Sequence, residues 1–125
     1  MTLQEVLDMV DQLKPNMMKR SVKIRFISEL EGKIHQEILM KHVHSAEDEI
    51  LPVYDDDTDG STELLANPPY DMVYVYYLMS KVDMQNQEED KESNDRARFE
   101  NAWGDFDDYY TRTHMPMTVF PYFKL

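Results

Sequence analysis

The sequence predicts a mainly α fold: a four-helix antiparallel bundle with a short β-hairpin or loop insertion at about 45–66 and an extended C-terminal tail over 116–125. Three observations predict it. Apolar residues recur at helical spacing in several separate stretches. The segment between the second and third of these is interrupted by proline, glycine and a run of aspartates. Most aromatic residues fall between Asn67 and Pro116, where the largest buried surface is expected. A chain of 125 residues is one domain by length and can bury a modest core without metals or disulfides. No repeat, low-complexity tract or linker divides it.

Thr2-Leu3-Gln4-Glu5 has the form of a capping box, in which the Thr2 hydroxyl takes the Glu5 amide and the Glu5 carboxylate reaches back. Leu3, Val6, Leu7, Val10 and Leu13 then recur at helical spacing, so a first helix is expected over about 3–14. Pro15 and Asn16 end it. A second helix is expected from about 19–21 to about His42, with Ile24, Ile27, Leu30, Ile34 and Ile38 on one face. Gly32 within it costs about 1 kcal/mol against alanine and suggests a close helix crossing. The short linker between the two helices predicts an antiparallel hairpin.

Residues 45–66 break this pattern. Two short extended segments, 50–54 and 62–65, flank Asp55-Asp56-Asp57-Thr58-Asp59-Gly60-Ser61, which reads as a hairpin-like excursion or a long loop, with Gly60 supplying a positive φ. Pro52 confines any strand to an edge. The third helix is expected to start at about Pro69, with Asn67 or Asp71 taking free amides. Its apolar residues go nearly all round: Tyr70, Val73, Tyr74, Tyr77, Leu78 and Val82 on one side, and Val75, Tyr76 and Met79 on the other. Such a helix is buried in its own fold or against another subunit. Residues 83–95 are polar, either a connecting turn or the first turns of the last helix. Phe99, Ala102, Trp103, Phe106, Tyr109, Tyr110 and Thr113 mark that last helix, and Met115-Pro116 stops it. The tail beyond is apolar, which for a terminus implies packing on the chain's own core or on a neighbour.

Charge and composition exclude several functions. The net charge is −12, and there is no cysteine, so thiol chemistry and thiolate metal sites are excluded. Residues 1–44 carry seven Lys/Arg against six Asp/Glu, while 45–125 carry six against nineteen, or about +1 and −13. The acidic half disfavours nucleic-acid grip and anionic membranes. No apolar run approaches the roughly 20 residues needed to cross a bilayer, and the N-terminus lacks a signal-peptide pattern; synthesis in the cytoplasm is expected.

The chemical motifs are incomplete. Asp55, Asp57, Asp59 and Ser61 match the opening of a calcium-binding loop, in which alternate carboxylates converge on a hard cation. The twelfth position, however, is Ala66 instead of a bidentate glutamate, so a solvated acidic turn is the simpler reading. Glu88, Glu89 and Glu92 followed by Asp105 and Asp108 are similar to the acidic helix pairs of all-helical magnesium-dependent nucleotide pyrophosphatases. No helix break between 94 and 112 would bring these two sets together. The four histidines lack metal-ligand spacing, and no nucleophile elbow or phosphate loop occurs. No catalytic, metal or cofactor residue is therefore assigned. Lys19, Arg20, Lys23 and Arg25 form the one basic cluster, matched in sign to the acidic remainder of a second copy. A contact of that kind would be head-to-tail.

Four phrases, "TLQEVLDMVDQLKPN", "SELEGKIHQEI", "DDDTDGSTELLANPPYDMVYVYYLMSKVD" and "RFENAWGDFDDYYTRTHMP", resemble a family of small proteins from tailed phages and prophages of Gram-positive bacteria: the head-to-tail adaptors, also called head-completion or neck connectors. The similarity runs from about Thr2 to Pro116. It implies a small helical subunit, no cofactor, and a homo-oligomeric, dodecameric ring in the neck of the virion. It further implies contact with the portal protein and with the next neck or tail-completion protein, and DNA passing through an acidic lumen without specific binding. Under that reading Tyr76 and Met79, the tail residues Val119, Phe120, Tyr122 and Phe123, and the basic cluster Lys19, Arg20, Lys23 and Arg25 are the interaction candidates. The alternative is an acidic phage-encoded regulatory module or DNA mimic. A second alternative is the pyrophosphatase.

Overall fold

A computed structural model describes residues 1–117 of the chain. Among these residues four helices form a mainly α bundle: α1 (Leu3–Leu13), α2 (Arg20–Glu37), α3 (Met72–Gln85) and α4 (Glu89–Thr113). Short 3₁₀ turns at Leu39–Lys41 and Ala46–Glu49 separate α2 from the long connection to α3. No strand forms among the described residues; only two isolated bridges, Thr2 with Glu63 and His42 with Pro116, are made. Of the two forms expected for 45–66, the loop is therefore the one adopted. Residues Val119, Phe120, Tyr122 and Phe123 lie outside the described residues.

α1 starts as its sequence dictates. The Thr2 hydroxyl accepts the Glu5 amide at 3.2 Å and the Glu5 carboxylate accepts the Thr2 amide at 3.3 Å, completing the capping box. Leu3, Val6, Leu7 and Val10 are buried, whereas Leu13 at the end of the same stripe is 55% exposed. α2 ends earlier than expected, at Glu37. The chain tightens into the 3₁₀ turn, and the His42 Nδ1–H donates to the Ile38 carbonyl at 2.7 Å, a side-chain substitute for one bond the helix gives up.

α3 is the centre of the molecule, and most of its apolar residues are covered by the other three helices of the same chain, while Met84 near its end is exposed. It begins at Met72, three residues beyond Pro69. Asn67–Tyr70 forms a turn closed by the Tyr70 amide on the Asn67 carbonyl at 2.8 Å, and Asp71 makes no side-chain cap. α4 runs antiparallel to α3, with an aromatic seam of Tyr77 on Phe99, Tyr70 on Phe106, and Tyr70 stacked on Tyr109 at 4.6 Å. α1 runs alongside α3 in the same direction, since the Met1 amine lies near Asp71 and Lys14 near Asp83. Lys23 of α2 pairs with Asp11 and Arg20 reaches Gln4.

The turn from α3 to α4 is a complete Schellman motif: the Gln87 amide donates to the Met84 carbonyl and the Glu88 amide to the Asp83 carbonyl. Its left-handed position is occupied by Gln87, at φ 58°, where glycine is usual. Gly60, expected to hold a positive φ, does not. Its small size is used instead, because a Cβ there would sit 3.0 Å from the Gln4 side chain. Gly32 marks no helix crossing, since the nearest atom to an added Cβ is Leu51 Cδ1 at 3.9 Å.

Candidate functional site

The long connection between α2 and α3 is a strap wrapped around the bundle. It runs back along α2: the His35 Nε2–H donates to the Asp48 carbonyl at 2.6 Å, Leu51 lies over Gly32, and the Tyr54 amide donates to Ser28 Oγ at 3.0 Å. It then turns over the start of α1, where the Gly60 and Thr62 carbonyls accept the Gln4 and Leu3 amides, each at 3.0 Å. These are amides that a helix start leaves free, so the insertion closes α1. The acidic turn sits at the positive end of the α1 dipole, where carboxylates are favoured.

One buried carboxylate fastens the return of the strap. Glu31 on α2 is fully buried and accepts from the Tyr74 hydroxyl at 2.6 Å, the Tyr54 hydroxyl at 2.9 Å and the Leu65 amide at 3.0 Å. Tyr74 in turn accepts the Ala66 amide at 2.8 Å. Burial pushes the Glu31 carboxyl up, and the bonds from Tyr74, Leu65 and Tyr54 recover only part of that shift. Burial, together with the neighbouring Glu31 charge, raises both tyrosines. The network lets a polar group survive in the core and ties α2, the strap and α3 together.

The candidate calcium residues serve the strap locally. Asp55 Oδ1 accepts the Asp57 amide, and Asp59 Oδ1 accepts both the amide and hydroxyl of Ser61, each at 2.9 Å. The bonds from Ser61 hold the Asp59 carboxyl below its ordinary range. Among the described residues no three His, Asp or Glu side chains are grouped to hold a metal ion. The two acidic sets similar to a pyrophosphatase lie on one uninterrupted helix. Glu89 and Asp105, 16 residues apart, are separated by about 24 Å along its axis.

The basic cluster is divided. Lys19 and Arg25 are exposed, Arg20 is shared between Gln4 and Asp56, and Lys23 is buried against Asp11. Burial works to raise the Asp11 carboxyl, but hydrogen bonds from Lys23 and Asn16 outweigh it and the pKa is lowered. Lys23 is therefore corrected from a docking residue to a structural one. Met79 is corrected likewise: it is 7% exposed and belongs to the core, while Tyr76 is half-buried.

A second buried cluster joins α1, α3 and α4. Lys14 Nζ lies 2.7 Å from Asp83 Oδ1 and 3.1 Å from Asp95 Oδ2, and both aspartates are buried. Arg98 approaches Asp95 from solvent at 3.3 Å. Two buried carboxylates thus share the part-buried Lys14 ammonium. Burial and the bond to Asp95 push the Asp83 carboxyl up to about 6 against the pull of Lys14. The Lys14 ammonium is pulled down by burial, but its bonds to Asp83 and Asp95 outweigh that and raise it.

Neither buried cluster was named from the sequence. Glu31 carried a signal, since it falls four residues after Ile27 and three before Ile34, on the apolar stripe. The Lys14 cluster carried a weaker one: Lys14 stands four residues after Val10, but its partners are about 70 and 80 positions away. The histidines are structural. Besides His35 and His42, His44 faces Glu49 at 3.5 Å and His114 stacks on Tyr110 at 3.7 Å.

Among the described residues the exposed large apolar side chains include Met84 and three groups, one of them Val43 with Met115 and Met117, where the Val43 amide donates to the Met115 carbonyl. Ile50, Leu51 and Val53 stand on the outside of the strap, and Leu13, Met17 and Val22 surround the turn from α1 to α2. Compared with family models, curated proteins and solved structures, the chain matches none.

Proposed function

We propose that this protein is a virion structural component, a head-to-tail adaptor whose copies form a ring below the portal of a tailed phage, link capsid to tail and line the DNA passage. The observation that carries the reading is the sequence resemblance from about Thr2 to Pro116. The charge layout supports it. From Phe99 to Thr111 the last helix carries Glu100, Asp105, Asp107 and Asp108 and no cation, and three of these four are exposed. A wall of that sign repels phosphate, so DNA slides along it without sticking. Exposed apolar groups at both the strap and the α1–α2 turn supply surface for neighbours.

The test is mass by light scattering on the purified full chain, alone and mixed with the portal protein encoded nearby. A ring-sized species, or a monomer that co-migrates with the portal, is the expected result. A stable monomer indifferent to the portal overturns the proposal.

A further inference from the structure

The exposed apolar groups on the strap and at the α1–α2 turn differ in the charge that surrounds them. On the strap, Ile50 is 77% and Val53 72% exposed, and the exposed acids Glu47, Glu49, Asp55 and Asp57 flank them in the chain. The segment that presents them is fixed beneath by His35, Ser28 and Glu31, so little ordering is needed for it to bind. At the α1–α2 turn, Met17 is 95% and Val22 40% exposed. Among the described residues the cations there without an ion-pair partner are Lys19 and Arg25, since Arg20 and Lys23 are engaged within the chain.

We propose that the strap of one copy docks on the α1–α2 turn of a second copy. Ile50 and Val53 meet Met17 and Val22, and the strap acids face Lys19 and Arg25. Sign and apolarity match across the pair, whereas each group set against its own duplicate brings like charges together. Methionine suits the receiving side because its unbranched side chain adapts to a neighbour's shape. The two surfaces are different, so the contact is heterologous, and repetition around an axis closes a ring. This rests on the adaptor reading and specifies which faces join.

The experiment is sedimentation velocity on full-length variants, with and without portal protein. Ile50→Ser with Val53→Ser changes only exposed side chains and is expected to weaken self-association by about 10-fold or more, with helicity by circular dichroism unchanged. Lys19→Glu/Arg25→Glu and Glu47→Lys/Asp57→Lys are each expected to fail to assemble alone. Mixed in equal amounts they are expected to recover wild-type mass, because every contact in an alternating ring again joins opposite charges. Variants that assemble like wild type overturn the proposed contact and leave the adaptor reading intact. Loss of assembly in the serine variant without recovery in the mixture overturns a second copy as the occupant, in favour of the portal or of residues 118–125. A wild-type chain that assembles neither alone nor on the portal overturns both readings.

Discussion

Lys14→Met removes the part-buried cation that bridges Asp83 and Asp95. The aspartates are 0% and 2% exposed, and leaving a buried charge without its partner costs about 3–5 kcal/mol. The loss must depend on pH. Asp83 in the folded protein titrates at about 6 against an ordinary 3.8, raised by burial and by Asp95 and held down by Lys14. A raised folded pKa gives stability that is fully present below the unfolded value and lost as pH rises through the folded one. In the wild type this group's contribution therefore falls as pH rises from about 4 through about 6. Without Lys14 the carboxyl rises further, so the window moves up and the variant suffers most above neutrality. Urea unfolding followed by circular dichroism and Trp103 fluorescence, at about pH 5 and about pH 7.5, measures it. The expected deficit is about 3–5 kcal/mol at the higher pH and under half of that at the lower. An equal deficit at both values, or one below about 1 kcal/mol at the higher, refutes the shared-cation argument.

Gln87→Gly is expected to stabilise the protein by up to about 1 kcal/mol, because φ 58° suits glycine at that position of a Schellman motif; a lowered urea midpoint contradicts this. Gly104→Ala and Gly32→Ala are each expected to add about 0.5–1 kcal/mol, since an added Cβ meets nothing within 4 Å at Gly104 and only Leu51 at 3.9 Å at Gly32. Tyr74→Phe removes a donor to Glu31 and strands the Ala66 amide, for about 3 kcal/mol, and Tyr54→Phe costs about half as much; reversed order in the same unfolding assay sinks the proposed hierarchy. Millimolar calcium is expected to move the melting temperature by less than about 1 °C, as binding at the Asp55–Ser61 turn would otherwise stabilise the fold.

Local features were legible in the sequence and distant ones were not. The Thr2–Glu5 box, the apolar stripes of α1 and α2 and the aromatic seam of α4 each depend on spacings of three or four residues, which helical geometry converts directly into structure. The end of α2 was misplaced because the apolar period continues through Ile38 and Leu39 while a histidine at position 42 takes over a carbonyl. Gly60 was assigned a dihedral when its requirement is space beside Gln4, a residue 56 positions earlier. Among the candidate site residues, Lys23 and Met79 failed for the same reason. Sequence shows that a side chain is charged or apolar, but only Asp11 and the enclosing helices decide whether it is free.

The strap also governs the order of events in folding. Glu31 and Tyr74 are 43 residues apart, and the α1 amides find their acceptors almost 60 residues later. Helical contacts form early and locally, whereas these closures must first overcome the entropy of a long loop. The strap is thus expected to attach after the transition state and to detach first on unfolding. Substitutions at Tyr54 or Ser28 should accelerate unfolding and leave the folding rate nearly unchanged, whereas those in the α3–α4 seam should slow folding. The working lifetime of the molecule is then expected to follow how long its loop stays fastened to α1 and α2.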